Sequence, residues 1–353
     1  IDLIAEELEQ VDIDLEKDCW VEFFVKCKSD KKDINDNVRF CRDVILKQIK
    51  ELQPKIIVLV GKFVFDNLLG YKLSKKGLST AGFDSWINEC IPDFDLKCFV
   101  IPIFHPFYIK ENEKDIAVIN YWKNSFRLVS FYLEKNYEEL VTPSFKIINT
   151  KEEVLENLNI LRKKDCFAFD IETTGLRPDG NDILSISFCN QDFVFGFSWK
   201  LIAEKEVFDL LKDIFLNVNI GKIAHNCKFE DQWILNKMGI DIRGWIWDTQ
   251  IAAHCLENQK PVGLKHLVYV KLGFYGWENE IDGFIKAESS ANSNSLRHFD
   301  NYKLINYNCY DAYFTFLLYK KQLVSFDDFM LKGLNLFLEG SLCFSKIPLN
   351  PTI

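Results

Sequence analysis

The chain has 353 residues, 48% of them hydrophobic and 27% charged, with 31 Phe and 8 Trp to fill cores. This length suits two domains, and the composition excludes a disordered chain. The formal net charge of −9 argues against a broadly basic nucleic-acid binder. It leaves room for an enzyme that holds metal on carboxylates, or for a segment whose basic partner domain lies elsewhere. No apolar run reaches the roughly 18 to 20 residues that cross a bilayer, and no signal-peptide pattern opens the chain, so no membrane partner is expected. Eleven cysteines are scattered singly with no CxxC pair. An odd, unpaired set fits a reducing compartment, and a cytoplasmic location is expected. The start, "IDLIAEELEQVDIDLEK", is helical in pattern and has no Met, and the apolar pattern still runs at "FLEGSLCFSKIPLNPTI". Both ends read as cuts within a longer protein.

Residues 1 to 140 form one expected α/β unit. "NVRFCRDVILKQIKELQ" has apolar residues at helical spacing, and Pro54 ends that helix. "KIIVLVG" is a continuous apolar run, the pattern of a strand buried on both faces. "KFVFDNLLG" reads as a helix ended by Gly70, and "KCFVIPIFHPF" as a second buried strand running into a loop at His105-Pro106. "NYWKNSFRLVSFYLEKNYEEL" reads as the closing helix, with Thr142 to Ser144 as a link.

Residues 145 to 325 form the second expected unit. "FKIIN" is a short strand and "KEEVLENLNILRK" a helix. "CFAFDIET", "DILSISFCN" and "DFVFGFSW" read as three successive strands. The helix "EKEVFDLLKDIFLN", the strand "KIAHN" and the helix "FEDQWILNKMG" follow. "TQIAAHCLE", "GLKHLVYVKLG" and "LINYNCYDAYFTFLLYKKQL" are further helices. A three-strand meander followed by strand and helix alternation describes a ribonuclease-H-like fold with a mixed sheet.

The acids of this unit fall in three places. In "FAFDIETTG", Asp170 and Glu172 alternate with Phe169 and Ile171, so both acids share one face of the strand. Two carboxylates that close repel unless a cation lies between them or one is protonated. Taken alone, the pair reads equally well as the solvated end of a strand. Glu230 and Asp231 open a helix after "KIAHN", where acids also suit the helix macrodipole. Tyr307 and Asp311, in "YNCYD", lie four apart on one helical face. His225, His254, His266 and His298 have no zinc-ligand spacing and read as structural.

In this order and spacing, D-x-E, then "HN-x-K-F-acid", then Y-x-x-x-D resembles the DEDD 3′–5′ exonuclease superfamily in its tyrosine-bearing subclass. The closest likeness is to the proofreading domain of phage-type family-A DNA polymerases. "GWIWDTQIAAHCLEN" and "GLKHL" support it. The resemblance implies two divalent cations, Mg²⁺ or Mn²⁺, at catalytic carboxylates. Asp170, Glu172 and Asp311 would hold the first ion, and Asp170 would bridge to the second. Glu230 would reach the second ion through water, with Asp231 as the alternative, and Tyr307 would orient the attacking water. The chain departs from the pattern at Glu230, where the family usually has Asp. Thr174, Leu176, Asn226 and Lys228 would lie along the DNA, Leu176 as a wedge or a plain core leucine. Implied partners are a single-stranded 3′ end on a primer–template and a polymerase domain in the same parent chain, to which residues 326 to 353 would lead. Rival readings are an RNA-trimming exonuclease of the same superfamily and a non-catalytic DNA-binding or scaffolding segment.

The first unit resembles iron–sulfur uracil-DNA glycosylases in "WVEFFVKCKSD", in its Cys-Arg helix, and in the His-Pro loop at His105. Cys27 and Cys41 would match two of four cluster ligands, so a [4Fe–4S] cluster is implied only for the full-length protein. Read without the resemblance, they are two buried free thiols. Phe23 stands where the family reads uracil with Asn and offers no hydrogen bond to a base. The resemblance therefore implies a truncated glycosylase-like domain with weak or no activity.

Overall fold

The computed structural model describes residues 1–26, 34–70, 73, 82–258, 260–285 and 293–346. The chain forms two compact units, Ile1–Val141 with Lys265–Tyr275, and Thr142–Leu264 with Gly276–Ile353.

In the first unit, helices α1 (Asp2–Glu9), α2 (Ile34–Leu52) and α3 (Ile116–Leu133) accompany strands β1 (Ile56–Val60), β2 (Ile91–Asp93) and β3 (Cys98–Ile103). β3 is central, parallel to β1 and antiparallel to β2. Every β3 residue is buried. Alternation sends Val100 into a cluster with Leu59 and Trp86, and Ile101 and Ile103 into one with Trp122 and Phe126. The continuous apolar runs follow from this two-sided burial. "KFVFDNLLG" forms a short helix, Lys62–Phe65, and then a π-type turn, Asp66–Gly70, rather than one α-helix. α3 starts at Ile116, earlier than its pattern predicts, because the Asp115 side chain accepts from the Ala117 and Val118 amides.

The helix Leu264–Leu272 gives its body to this unit, and Tyr269 and Val270 enter the core. The Tyr269 hydroxyl donates to Asp93 Oδ2 at 2.6 Å, and Lys271 pairs with Glu89 at 2.7 Å. Gly273 ends the helix at φ +71°, where a Cβ would lie 1.5 Å from the Pro92 carbonyl oxygen.

The second unit holds a six-stranded sheet in the order β4–β7–β6–β5–β8–β9. The strands are β4 (Lys146–Ile148), β5 (Cys166–Thr173), β6 (Ile183–Cys189), β7 (Val194–Ser198), β8 (Gly221–Ala224) and β9 (Trp245–Asp248). β5, β6 and β7 pair antiparallel, whereas β4 joins β7, β8 joins β5 and β9 joins β8, all in parallel. This is the ribonuclease-H-like mixed sheet. β9 is the strand that sequence pattern misses, since four residues ahead of a helix carry too little periodicity.

The helices are α4 (Lys151–Leu161), α5 (Lys205–Leu216), α6 (Cys227–Met238), α7 (Thr249–Leu256), α8 (Asn301–Leu323) and α9 (Asp328–Ser345). One sheet face presents Phe167, Phe169, Phe188, Phe195 and Phe197 to a core completed by Leu158 of α4 and Phe215 of α5. The opposite face carries Ala168 and Cys189 against Ile305, Cys309 and Ala312 of α8. By alternation, Asp170, Glu172, Ser185, Ser187 and Gly196 belong to this second face. Small residues let α8 settle close. A Cβ on Gly196 would lie 2.8 Å from Cys309 Sγ and 2.9 Å from Ile305 Cγ2. Among the described residues, no helix is long and apolar enough to cross a membrane, and the cysteines are free thiols.

Candidate active site

β5 brings Asp170 and Glu172 to the face that α8 covers, opposite Ser187 and Ser185 of β6. α8 contributes Tyr307 and Asp311, one turn apart. One carboxylate oxygen from each of Asp170, Glu172 and Asp311 lies within 4.8 Å of the others. Burial pushes the Asp170 carboxyl well above its ordinary range, the Asp311 carboxylate adds to this, and a hydrogen bond from Asn308 opposes it. Burial, then the Asp311 and Glu172 carboxylates, holds the Tyr307 phenol far above its usual value, so it stays a neutral hydroxyl.

The adjacent acids at the start of α6 have different fates. Glu230 is 2% exposed, and its Oε2 meets no hydrogen-bond partner. Burial raises its pKa, and Asp170 is the foremost charge that raises it further. Asp231 turns the other way. It accepts from Ser345 Oγ at 2.6 Å and from Trp245 Nε1 at 3.2 Å. Three crowded carboxylates plus a buried, unsatisfied carboxylate oxygen make an all-oxygen donor set, which fits hard divalent cations.

Both units resemble known proteins. Residues 145–323, just over half of the chain, match the family model described as 3′–5′ exonuclease. The chain belongs to this 3′–5′ exonuclease family. Residues 7–126, in the first unit, match the model of the uracil DNA glycosylase superfamily. Over 136 residues the chain is 32% identical to DNA polymerase I of Chloroflexus aurantiacus, a match covering 37% of this chain and 14% of that protein. The chain thus spans a small part of the relative's length. Similar solved structures include the catalytic core of RRP6 from Trypanosoma brucei, at 20% identity and TM-score 0.46 over 61% of this chain and 57% of that one. Escherichia coli RNase D, an exoribonuclease, follows at 18% and 0.43 over 59% and 52%. Brucella melitensis NrnC with bound Mg²⁺ stands at 15% and 0.41 over 59% and 97%.

The structure places the remaining sequence-derived residues of the exonuclease unit unevenly. Thr174 is buried. Its hydroxyl accepts from the Asp182 amide at 2.9 Å and bonds Asn181 Oδ1 at 3.2 Å, so its side chain shapes the loop. Leu176, beyond it, is 66% exposed, which removes the core-leucine reading. Asn226 caps α6 at φ 75°, and its amide donates to Asp248 Oδ1. Lys228 is exposed, with its ammonium 5.8 Å from the centre of the Phe344 ring. His225 is half-buried beside Thr249. Its Nδ1 lies 2.8 Å from Thr249 Oγ1, and burial lowers its pKa to about 4.

In the glycosylase-like unit, Cys41 is a buried free thiol on α2, whereas Cys27 lies outside the described residues. His105 is exposed and serves as the N-cap of the helix Pro106–Glu111, with Nδ1 accepting from the Phe107 amide. Phe23 is 68% exposed. Sequence reasoning missed two side chains that touch the acids. Asn308 Nδ2 donates to Asp170 Oδ2 at 2.5 Å, and Trp277 Nε1 to Asp311 Oδ1 at 2.7 Å. Asn308 had a legible signal, because it precedes Asp311 by three residues and so shares its side of α8. Trp277 lies in an irregular segment, where no periodicity could point to it.

Proposed function

We propose that the second unit is the proofreading 3′–5′ exonuclease of a phage-type family-A DNA polymerase, removing mispaired 3′ nucleotides from DNA as monophosphates. The observation that carries this reading is the meeting of Asp170, Glu172 and Asp311 within 4.8 Å, on a face that also holds Tyr307. Asp170, Glu172 and Asp311 would hold one Mg²⁺ or Mn²⁺ ion, and Asp170 with Glu230 a second. Glu230 fills the second-motif role because Asp231 is engaged by Ser345 and Trp245. Bound in pairs, such cations activate water and stabilise the leaving 3′ oxygen.

The chain's own residues supply the rest. Tyr307 keeps its proton and orients the attacking water. Leu176 wedges against the terminal base. Asn226 and the exposed Lys228 meet the strand being cut, with the ammonium suited to a phosphate. Thr174 holds the loop that carries Leu176. We read residues 145–325 as this domain, 326–353 as the lead into a polymerase domain, and the host cytoplasm as its location. Residues 1–140 are read as a glycosylase-like domain that binds DNA or supports the polymerase without excising uracil, since Phe23 cannot hydrogen-bond a base.

The test uses 5′-labelled single-stranded DNA and matched RNA with Mg²⁺. Stepwise shortening from the 3′ end, faster on DNA and lost in Asp170→Ala, is expected. Intact DNA with the wild-type chain sinks the reading, and preferential RNA trimming replaces it with the RNA-processing alternative.

A further inference from the structure

Two neutral donors that are not themselves motif residues reach into the acid cluster. Asn308 Nδ2 lies 2.5 Å from Asp170 Oδ2, and Trp277 Nε1 lies 2.7 Å from Asp311 Oδ1. Their neutrality matters. A Lys or Arg here would cancel the negative charge that attracts cations, whereas an amide or indole N–H fixes direction and leaves the charge in place.

Each donor is itself held. Asn308 is fully buried. Ser185 Oγ lies 3.2 Å from its Oδ1, and Ser187 Oγ donates to its backbone oxygen at 2.7 Å. The Ser185 hydroxyl donates to the amide oxygen, which leaves the amide NH₂ to face Asp170. Ser187 and Ser185 pair in register with Asp170 and Glu172, so β6 fixes Asn308 and Asn308 fixes Asp170. Trp277 rests on Phe314 of α8, with ring centroids 4.7 Å apart, and packs with Ile281, Leu296, Leu304 and Tyr307. The terminal torsion of an Asp side chain is otherwise broad. Carboxylates already ordered by these bonds lose less freedom when a cation arrives.

Building on the two-cation reading above, we propose that Asn308 and Trp277 are positioning residues of the metal site. Each N–H pins one oxygen of a ligand carboxylate and fixes how that carboxylate faces the cation. Removing partners of this kind costs about 10- to 100-fold in metal affinity or activity.

The test measures Mn²⁺ binding to the full chain by electron paramagnetic resonance, in wild type, Trp277→Phe and Asn308→Leu. Trp277→Phe keeps the ring on Phe314 and drops only the donor, so it carries the test if Asn308→Leu fails to fold. We expect the Mn²⁺ Kd to rise about tenfold or more in both variants. The Mg²⁺ concentration for half-maximal hydrolysis should rise in step, while the rate at saturating metal changes less. The Mn²⁺-induced gain in Tm should shrink, with the metal-free Tm of Trp277→Phe close to wild type. Wild-type binding of Mn²⁺ with unchanged affinity in the folded variants overturns this proposal and leaves the metal reading standing. Failure of the wild type to bind Mn²⁺ overturns both.

Discussion

Asp93 in the first unit and Glu230 in the second are both buried acids, 0% and 2% exposed, in opposite circumstances. Asp93 accepts from the Tyr269 hydroxyl and from the amides of Asp95 and Leu96. Glu230 has an oxygen with no partner and faces Asp170 and Glu172 across a desolvated space. Burial therefore does not distinguish a site from a structural acid. What sets the clustered acids apart is the further negative charge beside them, Asp311 beside Asp170 and Asp170 beside Glu230, even where a donor is supplied. In the first unit the acids close a turn and anchor a helix. In the second they crowd one another, the arrangement that the proposed cations would relieve.

The sharpest way to break this contrast is Asp170→Ala, which should lower exonuclease turnover about a thousandfold or more, because on the proposed reading it removes a ligand shared by both ions. Asp170→Asn should raise the metal-free Tm by about 2–4 °C by relieving repulsion. A lower Tm in EDTA would mean that Asp170 is structural. Next is Gly196→Val. Its added bulk meets Cys309 and Ile305 and should displace α8, with a loss of about 1–3 kcal/mol in urea melts and about a hundredfold in rate. Neighbouring acids then separate the two kinds of burial. Glu230→Gln should slow turnover about tenfold without loss of stability. Asp231→Asn should spare turnover and cost about 1–3 kcal/mol. The reverse pattern would move the second-motif role to Asp231.

In the first unit, Tyr269→Phe should cost about 1–2 kcal/mol by removing one of the donors to Asp93. The smallest effect concerns Lys222, fully buried on β8, whose ammonium donates to the Asn217 carbonyl oxygen at 2.5 Å. Burial lowers its pKa from 10.5 to about 8. Between those values the unfolded chain holds a proton that the folded chain lacks, so this group makes stability rise with pH. Lys222→Met should be more stable than wild type by about 1 kcal/mol at pH 7, a figure discounted for screening and for the lost hydrogen bond. Melts across the pH range should show the gap closing toward pH 10.5, and a constant gap would remove the titration argument.

Asp170 with Glu172, and Tyr307 with Asp311, were legible as two pairs because strand alternation and helical spacing are local and assigned each pair to one face, while only the resemblance to the exonuclease superfamily joined the pairs. The strands around them were legible from apolar runs, except β9, which is too short. The sequence left two neighbouring pairs whose members the structure places in different surroundings. Register favoured Glu230 with Asp231 as the alternative, and the structure shows Ser345 of α9 bonded to Asp231. Thr174 and Leu176 looked alike as DNA contacts until the loop buried one and exposed the other. Trp277 and Asn308 could not be joined to Asp311 and Asp170 by spacing, since their bonds span 34 and 138 residues. The sequence by itself determined which acids share a face, because that is fixed by backbone period. Only the tertiary structure decided which acids meet and which donors hold them, because packing α8 onto a face of serines and a glycine sets those distances.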